Sequence, residues 1–150
     1  MFFSKPKLSI HEAHRILSDV AQEKCFNTSN GMVLRNLHEL AQAISHMEEN
    51  VFLHHVTKEK NDFATWVQEV VEDSYLASKL IKTRKQPKSA SLIRDRITSI
   101  EKHIDLEKEK IQEATQDIYF HKEKIQKISL SVLCILLFFI GIFLGYRLIQ

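Results

Sequence analysis

The sequence predicts an all-α protein in three parts: a small helical N-terminal domain, a long charged helix that resembles a coiled-coil stalk, and one C-terminal transmembrane helix. Three observations predict this class. The 150 residues include three glycines and two prolines, too few for the turns of a sandwich or barrel. Isoleucine recurs at every seventh position in the second half of the chain, and an uncharged apolar run of 19 residues follows it.

The N-terminal domain is predicted over residues 1–82. Ser9 and Glu12 have the spacing of a capping box, and the apolar residues after them predict a first helix from about Ile10 to Lys24. The Asn30-Gly31 pair between short apolar runs predicts a small hairpin or a loop. Apolar groups then predict further helical segments at Leu37–Ile44, Val51–Val56, Phe63–Val71 and Tyr75–Lys82, with Asn61 as the N-cap of the Phe63 helix.

Charge separates this domain from the stalk. Residues 1–81 hold 8 basic and 11 acidic side chains, whereas residues 82–127 hold 12 basic and 8 acidic ones. A linker is predicted over 83–91, where basic residues surround Pro87. A nucleic-acid domain gathers positive charge on its folded body, so the acidic domain predicts no nucleic-acid partner.

The stalk is predicted over residues 92–127, which contain no glycine or proline. Its seam is a row of isoleucines at one heptad position, which is typical of a coiled coil. The pattern leaves two alternatives open: a parallel homodimer, or packing of the seam against the chain's own N-terminal domain or another protein's helix. The seam residues are Ile97, Ile104, Ile111, Ile118 and Ile125.

The apolar run over residues 128–146 predicts the transmembrane helix. As a helix it spans about 28 Å, close to the roughly 30 Å of a bilayer's hydrocarbon core. Lys122, Lys124 and Lys127 precede it, which predicts a single-pass protein in the cell membrane with its N-terminal domain in the cytoplasm and with membrane lipid as a partner. Gly141 and Gly145 have the spacing of a close helix contact within the membrane.

One part of the N-terminal domain resembles a known family. The segment Asn61-Asp62-Phe63-Ala64-Thr65-Trp66 follows Phe52-Leu53-His54-His55-Val56 and an earlier Gly31 with leucines at 34, 37 and 40, and it precedes Leu76-Ala77. This pattern, over about residues 26–80, is similar to a small helical domain family of unknown function found in archaea and some bacteria. The resemblance implies a cytosolic helical module and supplies no reaction.

The polar and aromatic positions of that motif are the candidate site: His55, Asn61, Asp62 and Trp66. One interpretation groups them around a pocket for a peptide or small polar ligand. In the other, Asn61 or Asp62 caps its helix, His55 donates a hydrogen bond to one of them, and Trp66 fills the core. The second interpretation explains these residue types without a ligand.

The remaining residues show no motif for catalysis or metal binding. The eight histidines have no zinc-ligand spacing, and the two cysteines, Cys25 and Cys134, form no pair with a histidine. We therefore expect no metal, no cofactor and no enzymatic activity. The predicted function is an interaction or scaffold protein that docks an unidentified protein partner. The alternatives are a small-molecule sensor or enzyme accessory domain, and a subunit of a larger membrane complex.

Overall fold

The computed structural model describes residues 8–147 and, within them, every side chain except those of Phe139 and residues 141–147. The chain divides into two compact units, Met1–Glu107 and Lys108–Gln150. The described part of the first unit, residues 8–107, is called the head here. The elements in chain order are α1 (Ile10–Leu17), a 3₁₀ turn (Gln22–Lys24), β1 (Phe26–Asn27), β2 (Val33–Leu34), α2 (Leu37–His46), α3 (Glu49–His55), α4 (Asp62–Glu69), α5 (Ser74–Leu80) and α6 (Gln86–Arg147).

Helix α1 begins where the sequence predicts and ends earlier. The Ser9 side chain accepts from the Glu12 backbone N–H, and the Glu12 carboxylate accepts from the Ser9 backbone, so the predicted capping box is confirmed. The helix stops at Leu17 and not near Lys24. Ser18 is extended, and the Val20 N–H donates to the Arg35 carbonyl at 2.8 Å, which takes the chain out of the helical path.

The Asn30-Gly31 turn forms the predicted hairpin. Strands β1 and β2 pair antiparallel, with Phe26 opposite Leu34 and Asn27 opposite Val33. Gly31 has φ +85°, a conformation that L side chains rarely adopt, so glycine suits this position of the turn. The two short strands add a small sheet to a fold that is otherwise helical.

The short helices of the head have the N-caps that their sequences provide. Asn36 accepts from the Glu39 N–H at 2.8 Å, Asn61 from the Ala64 N–H at 3.0 Å, and Asp73 from the Leu76 N–H at 3.1 Å. Each cap supplies an acceptor for an N–H that the first helical turn leaves without a partner. The cap predicted at Asn61 is confirmed.

The first part of α6 belongs to the core of the head. Helix α6 begins at Gln86, inside the predicted linker, and the Gln86 amide donates to the carbonyls of Ile44 and Met47 at the end of α2. The structure therefore continues the head to Glu107, whereas the sequence predicted a domain that ends at residue 82. The residues of α6 that are buried with the apolar residues of the head are Ala90, Ile93, Ile97, Ile100 and Ile104.

A buried ion pair joins this part of α6 to α5. The Arg96 guanidinium donates to the Asp73 carboxylate through Nε at 2.6 Å and through Nη2 at 3.2 Å. Both side chains are almost fully buried, with 4% and 2% exposed. Two parallel hydrogen bonds between a guanidinium and a carboxylate hold both groups in one geometry, so the pair fixes the position of α6 against α5.

In the second unit α6 continues as an exposed helix. Among the residues that the structure describes, no helix is both long enough and apolar enough to cross a membrane. The prediction of a transmembrane helix over 128–146 is therefore wrong. The expected lipid contact and membrane location depended on this helix, and the surroundings of Gly141 and Gly145 lie outside the described part of the chain.

Replacing Arg96 tests the role of the ion pair. Arg96→Met leaves the Asp73 carboxylate buried without its partner, which costs about 3–5 kcal/mol. We expect the free energy of unfolding in urea to fall by this amount in the full chain. The matched control is Arg94→Met on the same helix, because Arg94 is exposed and donates to Ser45. Equal losses in the two variants would contradict the role given to the pair.

Candidate functional site

His55 lies at the end of α3 and both of its ring nitrogens have partners. Nε2 accepts from the backbone N–H of Ser29 at 3.0 Å, and Nδ1 is 3.1 Å from Asp62 Oδ2. A backbone N–H can only donate, so Nε2 must be unprotonated and the proton lies on Nδ1, which donates to Asp62. This arrangement requires the neutral imidazole with a defined tautomer.

The His55 ring is buried among aromatic side chains. Its centroid lies 5.1 Å from that of Phe26, edge-on, and 5.2 Å from that of Phe63. Phe26 belongs to β1 and Phe63 to α4, while the Ser29 N–H belongs to the hairpin loop. His55 therefore links the hairpin, α3 and α4 through one ring.

Asn61 connects the start of α4 to the end of α5. Its Oδ1 caps α4, and its Nδ2 donates at 2.9 Å to the Leu80 carbonyl, which also accepts from the Thr83 N–H at 3.0 Å. The side chain is buried, so both of its polar ends need these partners.

Asp62 is the partly exposed member of the group. It accepts from His55 and from the Lys60 ammonium, whose Nζ lies 2.7 Å away. Burial by itself would raise the pKa of the Asp62 carboxyl, but the hydrogen bonds from Lys60 and His55 outweigh it and lower that pKa below its ordinary value.

Trp66 lies on α4 with its ring buried and its polar atom bonded. The indole Nε1–H donates to the Lys24 carbonyl at 2.8 Å, and the ring meets Phe26 edge-on at 6.0 Å. The bond to Lys24 holds the 3₁₀ turn against α4. Trp66 and His55 thus contact Phe26 from two elements of the head.

The four candidate residues form one cluster, and their polar side-chain atoms make hydrogen bonds to other residues of the head. His55 and Asp62 bond each other, Asn61 bonds both α4 and α5, and Trp66 bonds the 3₁₀ turn. Among the described residues, no group of three or more histidine, cysteine, aspartate or glutamate side chains could hold a metal ion. The geometry favours the interpretation in which these residues hold the fold.

An open surface lies elsewhere on the head, where the sequence analysis named no candidate. A groove of about 650 Å³ runs between β2 and α2. Val33 of β2 is 55% exposed there, although it is a β-branched apolar residue. The groove is lined by Met32, Val33, Ala43, His46, Met47 and Glu48, among others.

The backbone N–H and C=O of Val33 lie on the outer edge of β2, as the pairing of the hairpin shows. The Thr28 N–H donates to the Met32 carbonyl at 2.9 Å, so these two residues form a hydrogen-bonded pair of the hairpin. Such pairs alternate with pairs that do not bond each other, and Val33 opposite Asn27 is the next one. The N–H and C=O of Val33 therefore point away from β1.

Comparison with known proteins identifies the family. The sequence profile of DUF5752, a family of unknown function, matches residues 22–133, and the chain belongs to this family. The match is consistent with the resemblance over 26–80 and extends far beyond it, so the whole of the predicted stalk, residues 92–127, lies inside the family's own region. No curated protein and no solved structure gives a significant match to the chain.

Replacing His55 tests its structural role. His55→Ala leaves the Ser29 N–H and the Asp62 carboxylate without the imidazole, and we expect the free energy of unfolding to fall by about 1–3 kcal/mol. His54→Ala is the matched control, because His54 is the adjacent residue of α3 and is exposed. Denaturant unfolding of both variants measures the difference, and a stable His55→Ala chain would contradict this role.

The lowered pKa of Asp62 predicts how stability depends on pH. The folded chain holds the Asp62 proton more weakly than the unfolded chain, so Asp62 contributes stability above its ordinary pKa and loses it as the pH falls through the folded value. We expect Asp62→Asn to be less stable than the natural chain at neutral pH, and the difference to shrink in acid. Unfolding midpoints measured along a pH series check this, and a constant difference would contradict it.

Proposed function

We propose that this member of DUF5752 is a non-catalytic interaction scaffold whose head binds an extended segment of a partner protein in the groove between β2 and α2. The observation that supports it is the edge of β2 at Val33, where an exposed apolar side chain and two outward-facing backbone groups adjoin an open groove. Edges of this kind are templates for pairing with another strand.

An added strand supplies the binding contacts. An extended segment beside β2 can accept from the Val33 N–H and donate to the Val33 C=O, and its alternate side chains then face the groove. Backbone bonds of this kind give affinity for many sequences. The side chains that enter the groove determine which sequence binds.

The lining of the groove indicates the chemistry of that segment. Ala43 and Met47 are buried at its apolar base, and methionine adapts its shape to different apolar partners. Glu48 is exposed on the lining and contributes a negative charge. A segment with an apolar side chain toward Met47 and a basic side chain toward Glu48 therefore fits best.

The small-molecule alternative has less support from the geometry. A ligand held by His55, Asn61 and Asp62 would have to displace the bonds to Ser29, Leu80 and Lys60 that these side chains already make. Displacing the His55 bond would leave the part-buried Ser29 N–H without its partner, and an unpaired buried polar group costs about 1–3 kcal/mol.

Val33→Pro tests the docking edge. Proline removes the outward N–H while it keeps the inner bonds of the hairpin, because Val33 does not bond across to β1. Peptides selected from a random library with the full natural chain should contain an apolar and a basic residue in an extended pattern. Their affinity for Val33→Pro should fall at least about tenfold, which is roughly 1.4 kcal/mol.

Val33→Thr is the matched control, since threonine retains the N–H and the β-branched shape at the same position. Its affinity for the selected peptides should stay close to that of the natural chain. An unchanged unfolding midpoint in both variants confirms that the head is intact. Equal binding to Val33→Pro and the natural chain would contradict the proposed edge.

A further inference from the structure

The isoleucine seam has two parts with opposite exposure. Ile97 and Ile104 are buried in the core of the head, each with 6% exposed. At the same heptad position in the second unit, Ile111, Ile118 and Ile125 are 60%, 70% and 66% exposed. These last three residues are called the exposed seam.

The exposed seam has the geometry of a coiled-coil interface. Residues spaced by seven lie on one face of a helix that is slightly supercoiled, and they insert between side chains of a matching helix. A row of three β-branched apolar residues on a solvated helix is the kind of surface that another helix covers. The spacing therefore indicates a helical partner.

A second copy in parallel orientation matches this seam. In a parallel pair each isoleucine of the seam meets the same isoleucine of the other copy, and β-branched residues pack well at this position of two-stranded parallel coiled coils. In an antiparallel pair the isoleucines would instead face the other core position, which here holds Ala114 and His121. Parallel pairing gives three isoleucine layers.

The flanking charges fit the same register. Asp117 and Lys122 occupy the positions that face each other between two parallel chains, and their charges are opposite. Within one chain, no ion pair is described for either residue. Exposed pairs of this kind add about 0.2–1 kcal/mol, which is enough to choose an orientation.

We propose that residues 108–127 of two copies pair as a parallel, in-register coiled coil along the exposed seam. This inference goes beyond the proposed function, because it concerns a different surface from the groove on the head. Ala114 and His121 lie in the other core position and weaken the pairing.

Disulfide cross-linking of the full chain tests the pairing. In a chain with Cys25→Ser and Cys134→Ser, single substitutions Ile111→Cys, Ile118→Cys and Ile125→Cys each place a thiol on the seam. Phe120→Cys is the matched control, because Phe120 has nearly the same exposure as Ile118 and lies off the seam. Mild oxidation should give covalent dimer at all three seam positions, at least about tenfold more than at the control position.

A charge exchange tests the register independently. Asp117→Lys in the Ile118→Cys chain places like charges together between the copies, so the dimer yield should fall about threefold. Adding Lys122→Asp restores the opposite charges and should restore the yield. Rescue by the double exchange requires that residue 117 of one copy faces residue 122 of the other.

Three results would overturn the proposal. The first is the absence of covalent dimer at all three seam positions. The second is dimer at one seam position alone, which an antiparallel pair would give. The third is equal dimer yield at the seam positions and at Phe120→Cys. Apart from the shared Cys25→Ser background, every substitution is on an exposed surface outside the head, so the unfolding midpoint of the head should equal that of the parent chain with Cys25→Ser and Cys134→Ser and should show that each chain is folded.

Discussion

The ion pair between Arg96 and Asp73 is the interaction on which the architecture of the head depends. Taking two charges out of water is costly, and it is repaid when the pair is close, bidentate and fully hydrogen-bonded. Here Asp73 also caps α5 through the Leu76 N–H, and Arg96 lies 5.0 Å from the centre of the Tyr75 ring. The two hydrogen bonds of the pair form in one position of α6 relative to α5, so the pair specifies one register of α6 in the core.

That constraint bears on the division of the isoleucine seam into a buried part and an exposed part. With Arg96 held against Asp73, the neighbouring residues Ile93, Ile97, Ile100 and Ile104 face the apolar core of the head. Beyond Glu107 the same periodicity continues on a helix whose described side chains are largely exposed. A heptad pattern predicts that one face of a helix is buried, but it does not distinguish burial within a chain from burial between chains. Both alternatives that the sequence leaves open therefore apply to one row: packing against the chain's own head is observed, and the parallel homodimer is a proposal.

Patterns of neighbouring residues predicted two helix caps and the hairpin turn correctly. The Ser9–Glu12 capping box, the Asn61 cap and the Asn30-Gly31 hairpin each depend on residues a few positions apart. The contacts that define the head depend on distant residues, such as Arg96 with Asp73 and Gln86 with Ile44. No periodicity encodes these contacts, so the end of the head was predicted too early. Likewise, the apolar composition after residue 127 predicted a membrane helix that the described structure does not contain.

The same reasoning explains why the motif did not reveal a binding surface. His55, Asn61 and Trp66 are distinctive in sequence because each satisfies a demanding set of internal bonds, and a motif of such residues carries information about the fold. Binding by an added strand needs a free backbone edge, which any residue type can provide, and Val33 is unremarkable in sequence. Its proposed role depends on the direction of its N–H and C=O, which the pairing of Thr28 with Met32 determines. In the proposed binding mode, partner choice depends on the residues that line the groove, such as Met47 and Glu48, while His55 of the motif holds the hairpin against α3 and α4.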